Sequence, residues 1–150
     1  MKKVREGYKV TELGEIPEEW EVISINKCGE VFGGNAFKST NFITESSSGD
    51  YQVIRMGNVQ LGCLDLSRNP VFLSSDLVSD KNKKYSLKKS DVLISLTGTV
   101  NKTDYGNISW VNENDRYLIN QRVACLRNVS NNFNNRYYYF CKVIYLEINF

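Results

Sequence analysis

The sequence predicts a single α+β domain, and three observations lead there. Short runs rich in β-branched and aromatic residues, YQVI, VLIS, NISWV and VACLR, recur between clusters of Gly, Asn and Ser, the pattern of short strands closed by turns. One lysine-rich stretch, SSDLVSDKNKKYSL, carries Ser and Asp where helix caps belong. A chain of 150 residues suits one hydrophobic core, and no repeat of 20 to 50 residues suggests a solenoid or propeller.

Taken in order, residues 1 to 11 form a polar lead-in. In LGEIPEEWEVISI, Pro17 is placed to open a helical turn, with Glu18 and Glu19 suited to its first positions. Trp20, Val22 and Ile25 then supply apolar anchors on a strand or a short helix. Gly33, Gly34 and Asn35 punctuate the chain, AFKSTNF is a loop, and SSSGD is a turn. A strand over Tyr51–Arg55 breaks at Gly57 and Asn58. PVFL, behind Pro70, reads as a strand start or an edge. SDVLISL and NISWV are strands, and YLINQRVACLR begins with a polar turn and runs into another. After the NNFNN loop, RYYYFCKVIYLEI closes the domain as a C-terminal helix whose apolar residues continue nearly all round.

Composition excludes several chemistries. The chain contains no histidine, which removes Ser-His-Asp and Cys-His catalysis and every zinc site that needs imidazole. Cys28, Cys63, Cys125 and Cys141 are widely spaced, unlike the close pairs of structural zinc sites. There is no secretory h-region and no apolar run near the roughly 20 residues of a membrane span. The expectation is therefore a cytoplasmic protein with reduced thiols and no membrane partner. GTVNKT lacks Walker spacing, and GEVFGGN does not match G-x-G-x-x-G. NPVF, Asn69–Phe72, has Val71 where an adenine-amino methyltransferase has its second proline. Asp91, Asp104, Glu113 and Asp115 are carboxylates available for metal-dependent cleavage, but no lysine follows a pair at nuclease-like spacing; a small methyltransferase or nuclease remains an unfavoured alternative.

The net charge of +2 is small, but its distribution is uneven. Glu12, Glu15, Glu18, Glu19 and Glu21 make the N-terminal part acidic. No Asp or Glu occurs from Arg116 to Leu146, whereas Arg116, Arg122, Arg127, Arg136 and Lys142 all lie there. Lys81, Lys83, Lys84, Lys88 and Lys89 form a second basic run, either a solvated face or a phosphate-holding surface. Four polar tips stand out: Thr97, Gly98, Thr99, Asn101 and Lys102 after VLIS; Asn120, Gln121 and Arg122; Lys38, Ser39 and Thr40; and Arg55 with Asn58. Such groups suit phosphates and base edges. They equally suit a hairpin or bulge turn at 97–102 and an edge-pinning amide pair at 120–121. Gly98 permits either close backbone approach or a positive φ. With no catalytic set, the polar tips beside basic stretches favour a binding module.

LGEIPEEWEV, YQVIRMGNV, SDVLISLTGTV and YLINQRVACLR, in that order, resemble the specificity-subunit family of type I restriction-modification systems, and specifically one target-recognition domain over Tyr8 to Tyr145. The resemblance implies a mixed fold with a curved, mostly antiparallel sheet, short flanking helices and no catalytic activity. It implies that one half of a split double-stranded DNA target is read. Methyltransferase subunits and a restriction subunit would be the partners, and S-adenosylmethionine, Mg and ATP would sit on those partners alone. Residues 1–150 then make one recognition domain, with 136–150 the start of a closing or spacer helix. An excised domain, a truncated product and a half-subunit that forms a homodimer all fit. Asn101 stands where the family often has glycine.

Residues shared across a family with many targets should build scaffold, so the resemblance assigns Trp20, Gly57, Asp91, Gly98, Asn120 and Gln121 to holding loops. DNA contacts are expected from Lys38, Ser39, Thr40, Asn41, Arg55, Asn58, Thr97, Thr99, Lys102, Thr103, Tyr105 and Arg122. Lys81, Lys83, Lys84, Lys88 and Lys89 would hold the phosphate backbone. A fragment that engages methyltransferase subunits without reading DNA is the other reading, motivated by the apolar VIYLEINF segment.

Overall fold

A computed structural model describes residues 4–24, 27, 29–102 and 104–127. Thr103, Ile25, Cys28, Cys141, Arg136, Lys142 and the expected closing helix over 136–150 lie outside the described residues.

The first element corrects the lead-in. Tyr8–Thr11 (β1) pairs antiparallel with Gly14–Pro17 (β2) across a two-residue loop. Gly14 sits at φ +104 there, a conformation glycine adopts without strain. Thr11 Oγ1 donates to the Gly14 carbonyl and accepts the Leu13 N–H, which closes the turn. Pro17 therefore ends a strand opposite Tyr8 and also opens a single turn, the Trp20 N–H donating to its carbonyl at 3.0 Å. Trp20 and Val22 are not core anchors: Trp20 is 56% exposed and Val22 is exposed as well.

Four antiparallel strands make one sheet in the order Glu30–Gly33 (β3), Val123–Arg127 (β11), Val92–Ser95 (β8) and Ile108–Trp110 (β9). A second, mixed sheet has the order Tyr117–Ile119 (β10), Tyr51–Ile54 (β4) and Phe72–Leu73 (β7). In it β10 runs parallel to β4, with Tyr117 opposite Gln52 and Ile119 opposite Ile54, while β7 is antiparallel to β4. Val59–Gln60 (β5) and Cys63–Leu64 (β6) form a small hairpin closed at Gly62. Helix is scarce among the described residues. The lysine-rich stretch gives a 3-10 turn at Ser75–Leu77 and the four-residue helix Asp80–Lys83 (α1), neither with a side-chain bond from its N-cap serine.

Side chains alternate across a strand, and that alternation sorts the core. Ile54, Tyr117 and Ile119 enter one cluster with Val59, Leu87, Leu93, Val123 and Cys125. Val53 and Leu118, on the opposite face, enter a second with Leu73 and Val78. The three-stranded sheet is thus covered on both sides, which is why Val53–Ile54 and YLI are continuous rather than alternating apolar runs. Each fully buried side chain of this kind contributes about 1.5–3 kcal/mol.

YLINQRVACLR is two strands. The chain leaves β10 at Asn120 and enters the other sheet at Val123, so this corner joins the two sheets. It is clamped from both sides. Asn120 N–H donates to the Ile54 carbonyl, Gln121 N–H to that of Asn35, and Asn35 N–H to that of Ile119. Gly34 passes so close that a Cβ there would overlap the carbonyl groups of Asn120 and Ile119. No β-carbon fits at this crossing.

A buried ion pair ties the far end. Asp91 is 2% exposed. Its carboxylate accepts Arg127 Nε at 2.9 Å, Arg127 Nη2 at 2.6 Å and the Lys88 N–H at 2.7 Å. Arg127 also donates to the Ser86 carbonyl and lies over the Phe32 ring.

Candidate nucleic-acid interface

Strand direction gathers the polar tips. Because β4 and β10 are parallel, the loops after them, Arg55–Asn58 and Asn120–Arg122, leave from the same edge. Because β8 is antiparallel to β11, with Ser95 opposite Val123, the tip after β8 leaves from that edge too. The Arg68–Asn69 turn before β7 joins them, since β7 runs antiparallel to β4. Two bonds lock the tip to its neighbours: Leu96 N–H donates to the Arg122 carbonyl at 2.9 Å, and Thr97 Oγ1 donates to Met56 Sδ at 3.1 Å.

Between these loops lies an open cleft of about 370 Å³. Arg55, Arg68 and Arg122 line it together with Asn69, Asn120 and Gln121, and no carboxylate does. Arg55 is oriented by its Nη2, which donates to the Asn69 carbonyl at 2.6 Å. Arg68 and Arg122 are exposed, and neither guanidinium has a partner among the described residues. A guanidinium is always charged and presents a planar fork of donors. Three of them around a cleft without carboxylates concentrate positive charge and hydrogen-bond donors at this edge.

Asn58 is corrected from reader to support. It is 2% exposed. Its Oδ1 accepts the Arg55 N–H, and its Nδ2 donates to the carbonyls of Asp65 and Arg68, so the side chain holds both arginine-bearing loops and has no free group for a base. Gly57 lines the cleft with open space where a Cβ would go. Gln121 is exposed at the cleft, while half-buried Asn120 accepts the Gln121 N–H on its own Oδ1. Trp20, assigned to holding loops, is more than half exposed.

The tip over Leu96–Tyr105 caps the β8–β9 hairpin, so the turn reading of these residues also holds. Thr99 donates its N–H and its Oγ1 to the two carboxylate oxygens of Asp104, each at 2.6 Å. These bonds hold the Asp104 carboxyl below the usual carboxylate range, with a lesser part from the charge of Lys102. Gly98 serves close approach: a Cβ there would stand 3.1 Å from Asp104 Oδ1 and from Tyr105 Cβ. The positive φ falls instead on Asn101, at 64°. Thr97, Thr99 and Lys102 are exposed, and Tyr105 is 67% exposed.

The lysine run is divided. The antiparallel bridge Ser86–Leu118 sets Lys84 toward the Ile119 end of β10, the cleft edge, and Lys88 and Lys89 toward the other. At that other edge Lys89 N–H donates to Asn114 Oδ1, beside Glu113 and Asp115. There burial first, and these two carboxylates next, push the Tyr117 hydroxyl up to about 12. The four-residue β8 puts about 13 Å of strand between Lys88–Lys89 and the tip, so the five lysines do not form one surface with the cleft. Lys81 is exposed, Lys83 pairs with Asp80 at 2.7 Å, and Lys84 lies over the Tyr85 ring. Lys38, Ser39, Thr40 and Asn41 form an exposed 3-10 turn. Phe37, edge-on to Tyr85, ties that turn to the cleft end of the run. Arg68, Asn69 and Met56 were not legible as site residues, since only the β4–β7 pairing and the fold of the 56–58 turn bring them to the cleft.

A family model for the type I restriction modification DNA specificity domain matches residues 17–150. The chain belongs to this family. The type I restriction enzyme MjaVIII specificity subunit of Methanocaldococcus jannaschii is 28% identical over 90 residues, covering 60% of this chain and 20% of that protein. The solved HsdS subunit from Thermoanaerobacter tengcongensis aligns with a TM-score of 0.53 at 15% identity, over 90% of this chain and 30% of that one. A chain from a study of complex assembly and conformational transition of the type I R-M system gives 0.56 at 16% identity, over 83% and 28%. At these identities the structural likeness is one of fold. The specificity domain spans about a fifth of the curated relative and under a third of each solved chain. Among the described residues no helix is long and apolar enough to cross a membrane.

Proposed function

We propose that this specificity domain binds double-stranded DNA and reads one half of a split target through the edge that carries the arginine cleft. The observation that carries the reading is the set Arg55, Arg68 and Arg122 around a cleft without carboxylates, with two of the three guanidinia unpartnered among the described residues. Arginine pairs bidentately with guanine, and Asn or Gln, here Gln121, with adenine. Lys38, Lys84 and Lys102 flank the cleft for phosphate contacts. Membership of the specificity family supports the same assignment.

In this reading the domain is non-catalytic. It directs methyltransferase and restriction subunits, and S-adenosylmethionine, Mg and ATP belong to those partners.

The test is selection from a pool of randomised duplexes by the 150-residue chain at low salt, followed by sequencing. A short enriched motif is expected. Arg122→Ala should weaken binding to the enriched duplex by about 1–3 kcal/mol and relax one position of the motif. Absence of duplex retention at low salt would refute the reading.

A further inference from the structure

We propose that the tip after β8 reads a thymine by packing Val100 against the C5-methyl in the major groove, beside the bases reached by the arginine cleft. This deepens the reading above and rests on it.

Val100 is 86% exposed, the most of any large apolar side chain among the described residues. A valine on a slack loop would mean little, but this loop is braced. Thr99 is bonded twice to Asp104, Ser95 Oγ donates to the Asp104 carbonyl at 2.8 Å, and Gly98 is packed against Asp104 and Tyr105. Lys102 N–H donates to the Thr99 carbonyl at 3.0 Å. That closes a four-residue turn with Val100 second and Asn101 third, and the positive φ of Asn101 is the one a type II turn requires there. The fold therefore holds a β-branched side chain in water, with few rotamers to lose on contact.

The surroundings select the occupant. Thr97, Thr99, Asn101 and Lys102 neighbour Val100 in the chain and are exposed, as are Leu96 and Tyr105 of the same tip. Such a mixed tip falls short of the several-hundred-Å² apolar patch of a protein-docking surface. It matches the major-groove edge of DNA, where the thymine methyl is the apolar group among donors and acceptors. The tip is the loop that joins β8 to β9, and it stands beyond the end of the four-stranded sheet rather than within it. Its one described carboxylate, Asp104, is turned back onto Thr99 rather than toward a phosphate.

The experiment repeats the duplex selection with two pools, one containing thymidine and one with deoxyuridine in its place. It then measures the affinity of the wild-type chain and Val100→Ser for the enriched duplex, with each thymine replaced singly by uracil. At one position uracil should weaken wild-type binding about fourfold, the worth of one buried methyl group. Val100→Ser should lose the same factor and become indifferent to uracil there. This exposed substitution should leave the melting temperature unchanged. Uracil without effect at every position, or equal uracil sensitivity in both proteins, would overturn the valine assignment while DNA reading by the cleft stands. Failure of both pools to be retained would overturn the two readings together.

Discussion

Removing one carboxylate, Asp91, should unbalance the molecule more than any surface change. In Asp91→Ala the guanidinium of Arg127, whose side chain is 15% exposed, keeps the Ser86 carbonyl and the Phe32 ring but loses two charge-assisted bonds. The Lys88 N–H loses its acceptor as well. A buried pair broken on one side costs about 3–5 kcal/mol, because the remaining charge stays desolvated without compensation. That is a large part of the roughly 5–15 kcal/mol that holds a domain together, and for a chain of this size it lowers the melting temperature by about 6–20 °C. Urea denaturation with a double-mutant cycle is the assay. Arg127→Met added to Asp91→Ala should recover much of the loss, since an apolar pair leaves no stranded charge. DNA affinity per folded molecule should hold, because Asp91 and the tip lie at opposite ends of β8. A loss under about 1 kcal/mol for Asp91→Ala, or no coupling in the cycle, would sink the reasoning.

Gly34→Ala should cost more than the roughly 1–3 kcal/mol of ordinary overpacking, because the new methyl meets backbone carbonyls that cannot swing aside; Gly57→Ala, with open space at its Cβ, should fold normally, and equal melting temperatures for the two would refute the close-approach argument. Asp104 has a lowered pKa when folded, so its bracing of Thr99 is fully present above the unfolded value of about 3.9 and is lost as pH falls through the lower folded value. The Thr99 amide resonance should accordingly titrate with a midpoint below that value, and a midpoint at or above it would show that the contact does not favour the carboxylate.

Much of the fold is legible in local sequence, and the site less so. YQVI, VLIS, NISWV and VACLR declare themselves as strands because their patterns are properties of neighbouring residues. The polar groups of the β8 tip and of Asn120–Arg122 are legible for the same reason. The N-terminal hairpin was missed because Glu12–Leu13 lacks the Asn-Gly or Asp-Gly signal of a two-residue turn. The polar break at Asn120 is legible, but that YLI is a strand of a different sheet from VACLR is not, because only bonds to Ile54 and Asn35 direct the chain there.

Asn58 marks the limit most clearly. An amide beside an arginine reads as a DNA contact until the chain brings Asp65 and Arg68 around it, takes both of its N–H donors and buries it. The sequence by itself determined the strands, the lack of histidine chemistry and the positions of the polar tips, all matters of composition and near-neighbour pattern. The tertiary structure alone decided that Arg55, Arg68 and Arg122 share one cleft and that Lys88 and Lys89 stand at the other edge. Those facts depend on which strands run parallel, and strand pairing is settled by the burial of β4 and β10 on both faces, a property of the whole core rather than of any segment.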